Sequence, residues 1–205
     1  MASTVRRTQQ ERSSKTRSAL VDAAIACLVD YGYSGTTTGL VCDRAGVSRG
    51  AYLHHFRTRA ALVAAALAEL AHRREEDFRE QVDGLPEDGT RIEVALELLW
   101  AWFTEPLFYA SVDLGVHAQT DAELRETLAP VERHLNHSTL ERCRVMFTED
   151  PADTSCDQLI AMTLAVVRGL ALLPMLQPGS RKATQHWVFA RGELATKLRE
   201  CARPG

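Results

Sequence analysis

Between residues 36 and 62 the chain carries side chains that can bind a polyanion. Four cations lie within this stretch, around a short segment that begins at residue 48: Arg44, Arg49, Arg57 and Arg59. The Arg49 guanidinium can donate two parallel hydrogen bonds to a guanine edge, which is worth about 1–3 kcal/mol of discrimination between bases. The two arginines that follow it, together with Arg17 and the Thr37 hydroxyl, can hold backbone phosphates and fix the register on DNA. The chemistry that these residues favour is binding to double-stranded DNA.

The predicted DNA contacts lie in this stretch and in the helix before it. His54 can donate to a base or a phosphate, although a solvated surface histidine explains it equally well. Because adjacent histidines on a helix point about 100° apart, His54 and His55 predict no metal site. We expect DNA contacts from Arg17, Thr37, Thr38, Ser48, Arg49, Gly50, Leu53, His54, Arg57 and Arg59.

These side chains need two short helices joined by a tight turn. Thr37 is a predicted N-cap of the first helix and Ser48 of the second, since each hydroxyl can accept an orphan backbone N–H. Gly46 lies between the helices and is expected at positive φ, where glycine is unstrained. The arrangement is a helix-turn-helix, whose second helix enters the major groove. A helical hairpin in a core is the alternative, but the very short second helix and the cations favour DNA binding.

The same stretch resembles the TetR family of transcriptional regulators. The match covers about a quarter of the chain and rests on the order and spacing of Gly32-Tyr33, Thr36-Thr37, Ala45-Gly46-Val47-Ser48, Gly50 and His55-Phe56. Tyr52 and Leu53 depart from the pattern, because the family usually has an aliphatic residue followed by a tyrosine that often meets a phosphate. The resemblance implies that Arg59 corresponds to the family's phosphate-contacting lysine and that His55 packs within the DNA-binding head.

The resemblance also implies the fold. It is an all-α protein, with an N-terminal three-helix helix-turn-helix domain and a larger C-terminal helical domain for effector binding and dimerisation. We predict a flexible basic arm over 1–13, a DNA-binding domain over 14–58 and a helical body over 59–205. The arm is either a disordered tail or a DNA-contacting extension. Residues 1–60 carry nine Lys/Arg against four Asp/Glu, and the remainder carries fifteen against twenty-three. That split suits a protein that touches nucleic acid with one end.

The spacing of the cysteines and the lack of catalytic motifs argue against other classes of function. Five cysteines, at positions 27, 42, 143, 156 and 201, form no C-x-x-C pair and no metal-ligand spacing. With no signal peptide, the expectation is a cytoplasmic protein with reduced thiols, no cofactor and no metal. No Walker, Rossmann, G-x-S-x-G or H-E-x-x-H signature occurs. An enzyme using Asp113, His117 or Cys143 is a remote alternative.

The body is predicted to be helical throughout. Helices are expected over 90–104, over 106–117, and from a capping box at Thr120 to about residue 147, with a kink or break at Pro130. Residues 159–176 approach the composition of a membrane span. Arg168 and Pro174 argue for a core or interface helix instead, and we expect no membrane partner.

A homodimer is the second prediction for the body. The apolar helix over 159–176 and the last helix, over 182–199, would form a four-helix bundle between two chains related by a two-fold axis. The family resemblance implies the same interface. The predicted interface residues are Leu159, Val166, Leu170, Leu173, Trp187, Ala190, Leu194 and Leu198.

Aromatic side chains and a few polar groups of the body can line an effector site. The predicted set is Trp100, Phe103, Phe108, Tyr109, Asp113, His117, Met162 and Arg168. Core packing is the preferred alternative for any single aromatic. A charge in an apolar helix must be paired or wetted. An Arg168–Asp113 pair would be structural, whereas an Arg168 that faces a cavity would favour an anionic ligand.

Together these patterns predict a ligand-responsive transcriptional regulator. The family-based default is a repressor that an unknown small molecule releases from a near-palindromic DNA operator. Two alternatives stay open: an effector-independent architectural DNA-binding dimer, and a ligand-dependent activator.

Overall fold

The chain folds into α-helices, as predicted. The computed structural model describes residues 9–148, 150–179 and 181–202, and these contain no β-strand. The helices are α1 (Gln9–Gly35), α2 (Thr38–Ala45), α3 (Arg49–His55), α4 (Arg59–Asp83), α5 (Arg91–Phe103), α6 (Pro106–Ala118), α7 (Ala122–Phe147), α8 (Asp157–Ala171), α9 (Leu173–Leu176) and α10 (Lys182–Ala202). The all-α prediction is confirmed.

The helices form two compact units. Unit 1 comprises Met1–Arg73 and Ala110–Glu132, and unit 2 comprises Arg74–Tyr109 and Arg133–Gly205. This division differs from the predicted boundary at residues 58 and 59, because α4, α6 and α7 each begin in one unit and end in the other. Segment 110–132 therefore belongs with the DNA-binding region rather than with the body.

Helix α1 extends into the segment that was predicted as a flexible arm. It begins at Gln9, so residues 9–13 are helical and are not part of that arm. Glutamine and glutamate favour helix, and Glu11 in the first turn suits the positive end of the helix dipole. The rest of the predicted arm, residues 1–8, lies outside the described residues. At its other end α1 continues to Gly35 across a kink at Gly32, where φ is 65°.

Unit 2 is built on packing among α5, α8 and α10. Its core contains Leu96 and Leu99 from α5, Ile160 from α8, and Trp187 and Leu198 from α10. Helix α6 begins at Pro106, as predicted, whereas α7 runs through Pro130 without the predicted break. The α7 N-cap interaction comes from the Asp121 carboxylate, which accepts the Leu124 N–H at 3.0 Å.

Helix α8 presents two different faces. Ile160, Leu164 and Val167 are buried in the unit 2 core, whereas Met162 on the opposite face is 51% exposed. Residues Asp157–Leu176 are long and apolar enough to cross a membrane by length and composition alone, a test that a core helix also passes. The buried face and Arg168 within the segment favour the core-helix interpretation.

Two of the five cysteines are joined, contrary to the prediction that all are reduced thiols. A disulfide links Cys156, before α8, to Cys201, in the last turn of α10. The two Cα atoms are 5.9 Å apart although 45 positions separate them in sequence. Spacing patterns cannot reveal such a pair, because it depends on the antiparallel packing of two helices. Cys27, Cys42 and Cys143 are free and buried.

Candidate nucleic-acid interface

The turn between α2 and α3 has the predicted geometry. The Thr37 hydroxyl accepts the Leu40 N–H at 3.2 Å and so caps α2. Gly46 ends α2 at φ 64° and ψ 34°, and its N–H donates back to the Asp43 carbonyl. A residue with a side chain would be strained there, since only glycine adopts the left-handed region without cost. The helix-turn-helix is thus held by contacts within a few residues.

Helix α3 is fixed by one cap and one inward aromatic residue. The Ser48 hydroxyl accepts the Ala51 N–H at 3.2 Å. Tyr52 is buried and its hydroxyl donates to the Thr58 carbonyl at 3.3 Å. These contacts orient the helix so that its exposed side carries Arg49, Gly50, Leu53 and His54. We call these four residues the α3 outer face.

The structure shows what the departure from the family pattern at positions 52 and 53 changes. Tyr52 is only 2% exposed, whereas Leu53 is 60% exposed. The aromatic ring fills the interior next to Phe56, with ring centroids 6.3 Å apart. The α3 outer face therefore presents an aliphatic side chain where the family pattern has a tyrosine hydroxyl. Leu53 has no hydrogen-bonding group, so it offers apolar contact only.

The predicted cations occupy different environments. Arg49 and Arg57 are exposed, and a Cβ added to Gly39 would lie 3.5 Å from the Arg49 guanidinium. Arg17 lies 5.4 Å from the Phe56 ring centroid. Arg59 is half-buried and stacks 3.9 Å over Tyr33, so its charge is less available to solvent than that of Arg57. Cation–π contact of this kind orients a guanidinium.

Two flanking groups contribute little free charge at neutral pH. Arg44 is exposed but forms a 2.6 Å ion pair with Asp30. Burial lowers the pKa of His55, and the neighbouring His54 and Arg17 lower it further, so His55 is neutral at pH 7. His55 is half-buried in unit 1. Within the described residues, no group of three or more His, Cys, Asp or Glu side chains is placed to hold a metal ion.

Asp113 and His117, predicted at the effector site, contact α1 instead. The Asp113 carboxylate accepts the Tyr33 backbone N–H at 2.6 Å, and His117 Nε2 lies 3.2 Å from the Ser34 hydroxyl. The His117 and Tyr33 ring centroids are 5.2 Å apart. We call Gly32, Tyr33, Asp113 and His117 the α1–α6 junction. Asp113 contacts α1 here, so the structure does not support the Arg168–Asp113 pair, which is one of the two alternatives that the sequence leaves open for Arg168.

Gly32 makes the α1–α6 junction possible. Its φ of 65° turns the chain so that the Tyr33 N–H points at the carboxylate, and an added Cβ would lie 3.0 Å from Asp113 Oδ2. Sequence reasoning missed this junction because Tyr33 and Asp113 are 80 positions apart. The one local signal is the Gly32-Tyr33 pair, which marks a kink in the chain but does not reveal the partner of Tyr33.

The other predicted effector residues separate into two groups. Phe103 lies 5.2 Å from the Arg168 guanidinium and packs edge-on against Phe108, which in turn packs on Tyr109. We call these four residues the arginine–aromatic cluster. Trp100 instead stacks on Trp187 at 5.0 Å in the core of unit 2. Met162 lies on the exposed face of α8, so neither residue joins the cluster.

Most predicted dimer residues face the interior of unit 2. Trp187, Leu194 and Leu198 are buried, and the partly buried Leu159, Val166, Leu170 and Ala190 pack against the same core. Leu173 is also partly buried. The prediction selected the inner stripe of each helix, because that stripe carries the regular 3.6-residue period. On α8 and α10 themselves, the large apolar side chains that are exposed are Met162, Val188 (58% exposed) and Phe189 (73% exposed).

Comparison with known proteins identifies the family. Residues 20–66 match the family model described as bacterial regulatory proteins, tetR family. A helix-turn-helix-type transcriptional regulator from Mycobacterium tuberculosis is 32% identical over 181 residues, which cover 83% of this chain and 91% of that protein. The regulator CymR from Pseudomonas putida is 33% identical over 175 residues, or 84% of this chain and 85% of its own.

A solved structure agrees with these sequence relatives. The crystal structure of a transcriptional regulator from Rhodococcus superposes with a TM-score of 0.68 at 20% identity, covering 92% of this chain and 99% of the other. At that identity the likeness concerns the fold alone. The sequence relatives are transcriptional regulators rather than enzymes. Their similarity over most of both chains, the matched helix-turn-helix and the shared fold show that this chain belongs to the TetR family of transcriptional regulators.

Proposed function

We propose that this chain is a cytoplasmic, ligand-responsive repressor that binds a near-palindromic operator as a homodimer and leaves it when a small molecule binds. The observation that carries the proposal is the α3 outer face, which is capped, oriented and exposed beside free cations. A helix presented in this way at the end of a helix-turn-helix can enter the major groove.

The DNA contact that we propose for each side chain follows from its chemistry. Arg49 reads a guanine through two hydrogen bonds, and Leu53 contacts an apolar group such as a thymine methyl. Arg17 and Arg57 contact phosphates, with Thr37, Thr38, Ser48 and Gly50 close to the backbone and His54 at a base or phosphate. Arg59 has the smallest role of the cations because Tyr33 already holds its guanidinium.

Coupling between effector and DNA is proposed to run along α6. This helix carries Phe108 of the arginine–aromatic cluster near its start, and Asp113 and His117 of the α1–α6 junction nearer its end. A shift of α6 would therefore disturb the hydrogen bond that holds the end of α1, which directly precedes α2. A tenfold loss of operator affinity requires only about 1.4 kcal/mol of coupling.

Dimerisation is proposed to use the outer faces of α8 and α10. Met162, Val188 and Phe189 give these helices exposed apolar side chains that lie apart from the core of unit 2. A second copy of the chain can cover this surface through a two-fold axis, which would also present two α3 helices to successive half-sites. An exposed Phe189→Glu variant should be monomeric and should lose operator affinity without unfolding.

The test is binding of the purified protein to DNA from upstream of its own gene, across a salt series. We expect sequence-selective, salt-sensitive binding. Arg49→Ala should weaken operator binding by about 5- to 150-fold, the equivalent of one guanine contact, and relax base preference at one position. Arg181→Ala, an exposed cation of unit 2, is the matched control and should bind as the wild type does.

Each other outcome decides against part of the proposal. Equal loss in both variants would remove the assigned role of Arg49. Binding that ignores sequence at every salt concentration would favour an architectural DNA-binding dimer. Operator binding that appears only when a small molecule is added would show a ligand-dependent activator in place of a repressor.

A further inference from the structure

We propose that Arg168, within the arginine–aromatic cluster, binds the carboxylate of a small organic acid and that this acid is the effector. The inference rests on the proposed function, since it assumes that unit 2 receives an effector. It goes further by naming the chemical class of that effector and the residue that selects it.

Arg168 differs from several other arginines of unit 2, which form ion pairs with carboxylates. Arg142 pairs with Glu75 at 3.4 Å, Arg144 pairs with Asp157 at 2.6 Å, and Arg191 and Arg199 pair with Glu97 and Glu93. Arg168, in contrast, has no ion pair and no hydrogen bond within the part of the chain that the structure describes; its contact is the Phe103 ring at 5.2 Å. A carboxylate partner is the element that this arginine lacks.

Among the residues that the structure describes, the recorded neighbours of Arg168 supply no counter-charge. Burial raises the pKa of the nearby Cys143 thiol to about 12, so the thiol is neutral at physiological pH. The neighbours of Arg168 on α8 are apolar, and Val167 and Ala171 are fully buried. Burial lowers the pKa of Arg168, which is the direction expected for a guanidinium without an anion beside it.

A guanidinium in this position stays charged, and an ion pair with an anion would stabilise it. Arginine stays protonated in proteins because its ordinary pKa is above about 12. Placing an unpaired charge against apolar groups costs free energy that an ion pair or hydrogen bonds recover. Arg168 is half-buried rather than sealed, so an anion from solution can still reach it. A bound acid would supply the missing interaction.

The geometry also narrows the kind of anion. A planar guanidinium matches a carboxylate, which accepts two parallel N–H bonds. A phosphate dianion would call for a second free cation, but Arg142, which also lies near Cys143, already pairs with Glu75. The rings of Phe103 and Phe108 offer an apolar wall beside the charge. The expected ligand is therefore a monocarboxylate with an aromatic or aliphatic body.

The location gives such a ligand a route to the DNA-binding helices. Phe108, which packs on Phe103, sits on the first turn of α6. Helix α6 continues without interruption to Asp113, which holds the Tyr33 N–H. An acid that binds between Arg168 and the rings would press on the start of the helix whose later turns form the α1–α6 junction.

The experiment compares acids with their neutral amides on the full-length protein. Benzoate, phenylacetate and octanoate are titrated by calorimetry beside benzamide, phenylacetamide and octanamide. At least one acid should bind the wild type about tenfold or more tightly than its own amide, because hydrogen bonds between two charged groups are stronger than those to a neutral amide. The same acid should lower operator affinity, and its amide should not.

Two substitutions make the result specific to Arg168. Arg168→Met keeps the length and the apolar contacts of the side chain, so it should remain folded and lose the preference for acid over amide. Arg168→Lys keeps a charge without the planar fork and should retain a weakened preference, which gives an answer even if the methionine variant unfolds. Arg142→Lys retains a cation for Glu75 and should leave the preference unchanged.

The outcomes separate this inference from the proposed function. If the wild type binds its operator but no acid binds, or acids bind Arg168→Met equally well, the Arg168 inference is overturned and the regulator stands. If an amide releases the operator as effectively as its acid, unit 2 does bind an effector, but Arg168 does not select a carboxylate. If operator binding fails while acids still bind in an Arg168-dependent way, the proposed function fails instead.

Discussion

The helix-turn-helix and unit 2 are stabilised by contacts that span different distances along the chain. In the helix-turn-helix of unit 1, Thr37 caps Leu40, Ser48 caps Ala51 and Gly46 turns the chain between them, all within 15 positions. In unit 2, the disulfide joins residues 45 positions apart and Arg191 reaches Glu97 across 94. Motifs report contacts of the first kind. Contacts of the second kind become visible only once the helices are packed.

Opening the disulfide should give the largest effect and should be confined to unit 2. A disulfide that closes a loop of 45 residues adds up to about 4 kcal/mol to the free energy of unfolding, because it reduces the entropy of the unfolded chain. Cys201→Ser should therefore lower the free energy of unfolding of unit 2 by an amount approaching that figure. All three tryptophans, at positions 100, 102 and 187, lie in unit 2. Their fluorescence during guanidinium unfolding reports the change selectively.

A thiol reductant provides the control for that measurement. It should destabilise the wild type as much as the substitution does, and it should leave Cys201→Ser unaffected. An equal response of both proteins to reductant would show that another group, and not the Cys156–Cys201 bond, causes the change.

The second prediction concerns a place where unit 1 depends on a distant contact. Gly32→Ala puts a methyl group at a φ of 65°, which costs about 1–2 kcal/mol, and it also places that methyl 3.0 Å from Asp113 Oδ2. We expect a loss of more than about 2 kcal/mol, because the steric clash adds to the backbone strain. Circular dichroism during urea unfolding measures it. Asp113→Ala in the same chain should restore part of the loss.

Gly46→Ala should cost less, because its strain is purely local. Gly46 has a φ of 64° but nothing within 4 Å of an added Cβ, so about 1–2 kcal/mol is expected. Gly50 is the matched control in the next helix: its backbone is helical and its nearest neighbour is 4.0 Å away. Gly50→Ala should be neutral or should stabilise by up to about 1 kcal/mol. Equal costs for Gly32→Ala and Gly46→Ala would refute the role of Asp113.

Local patterns in the sequence were sufficient to predict the conformation of the helix-turn-helix. The caps at Thr37 and Ser48 and the turn at Gly46 are short-range rules that hold wherever the helices pack. Tyr52 is buried beside Phe56, the residue that follows α3, and adjacent residues on a helix point about 100° apart. Leu53 must then point outward, which is what the structure shows.

The sequence could not assign partners across the chain. The sequence left open whether Asp113 pairs with Arg168. In the structure Asp113 accepts the Tyr33 N–H at the kink in α1, because the position of α6 depends on packing rather than on pattern. The apolar stripe on α10 was assigned to a dimer interface, and in the structure of one chain it faces the core of unit 2. Trp187 and Leu198 fill a core, and the outer apolar side chains, Val188 and Phe189, lack the regular period that marks a helix face.

The smallest predicted effect is a pH dependence within unit 2. Hydrogen bonds from Arg144 lower the pKa of Asp157 below its ordinary value of 3.8. A carboxyl with a depressed pKa in the folded state adds stability above its unfolded pKa, and this contribution disappears as the pH falls through the folded-state value. Asp157→Asn should be slightly less stable than the wild type at pH 7, and the difference should vanish towards pH 2. A constant difference in melting temperature across that range would contradict the assignment.

The disulfide also changes how the chain is connected. With Cys156 bonded to Cys201, residues 156–201 form a closed covalent ring that contains α8, α9 and most of α10. Residues 177–179, between α9 and α10, are exposed and are the natural target for a protease. A cut there opens the ring without releasing a fragment, so the cleaved protein keeps its full mass until it is reduced. The two helices that carry the exposed apolar surface thus stay joined through their far ends even when the chain between them is broken.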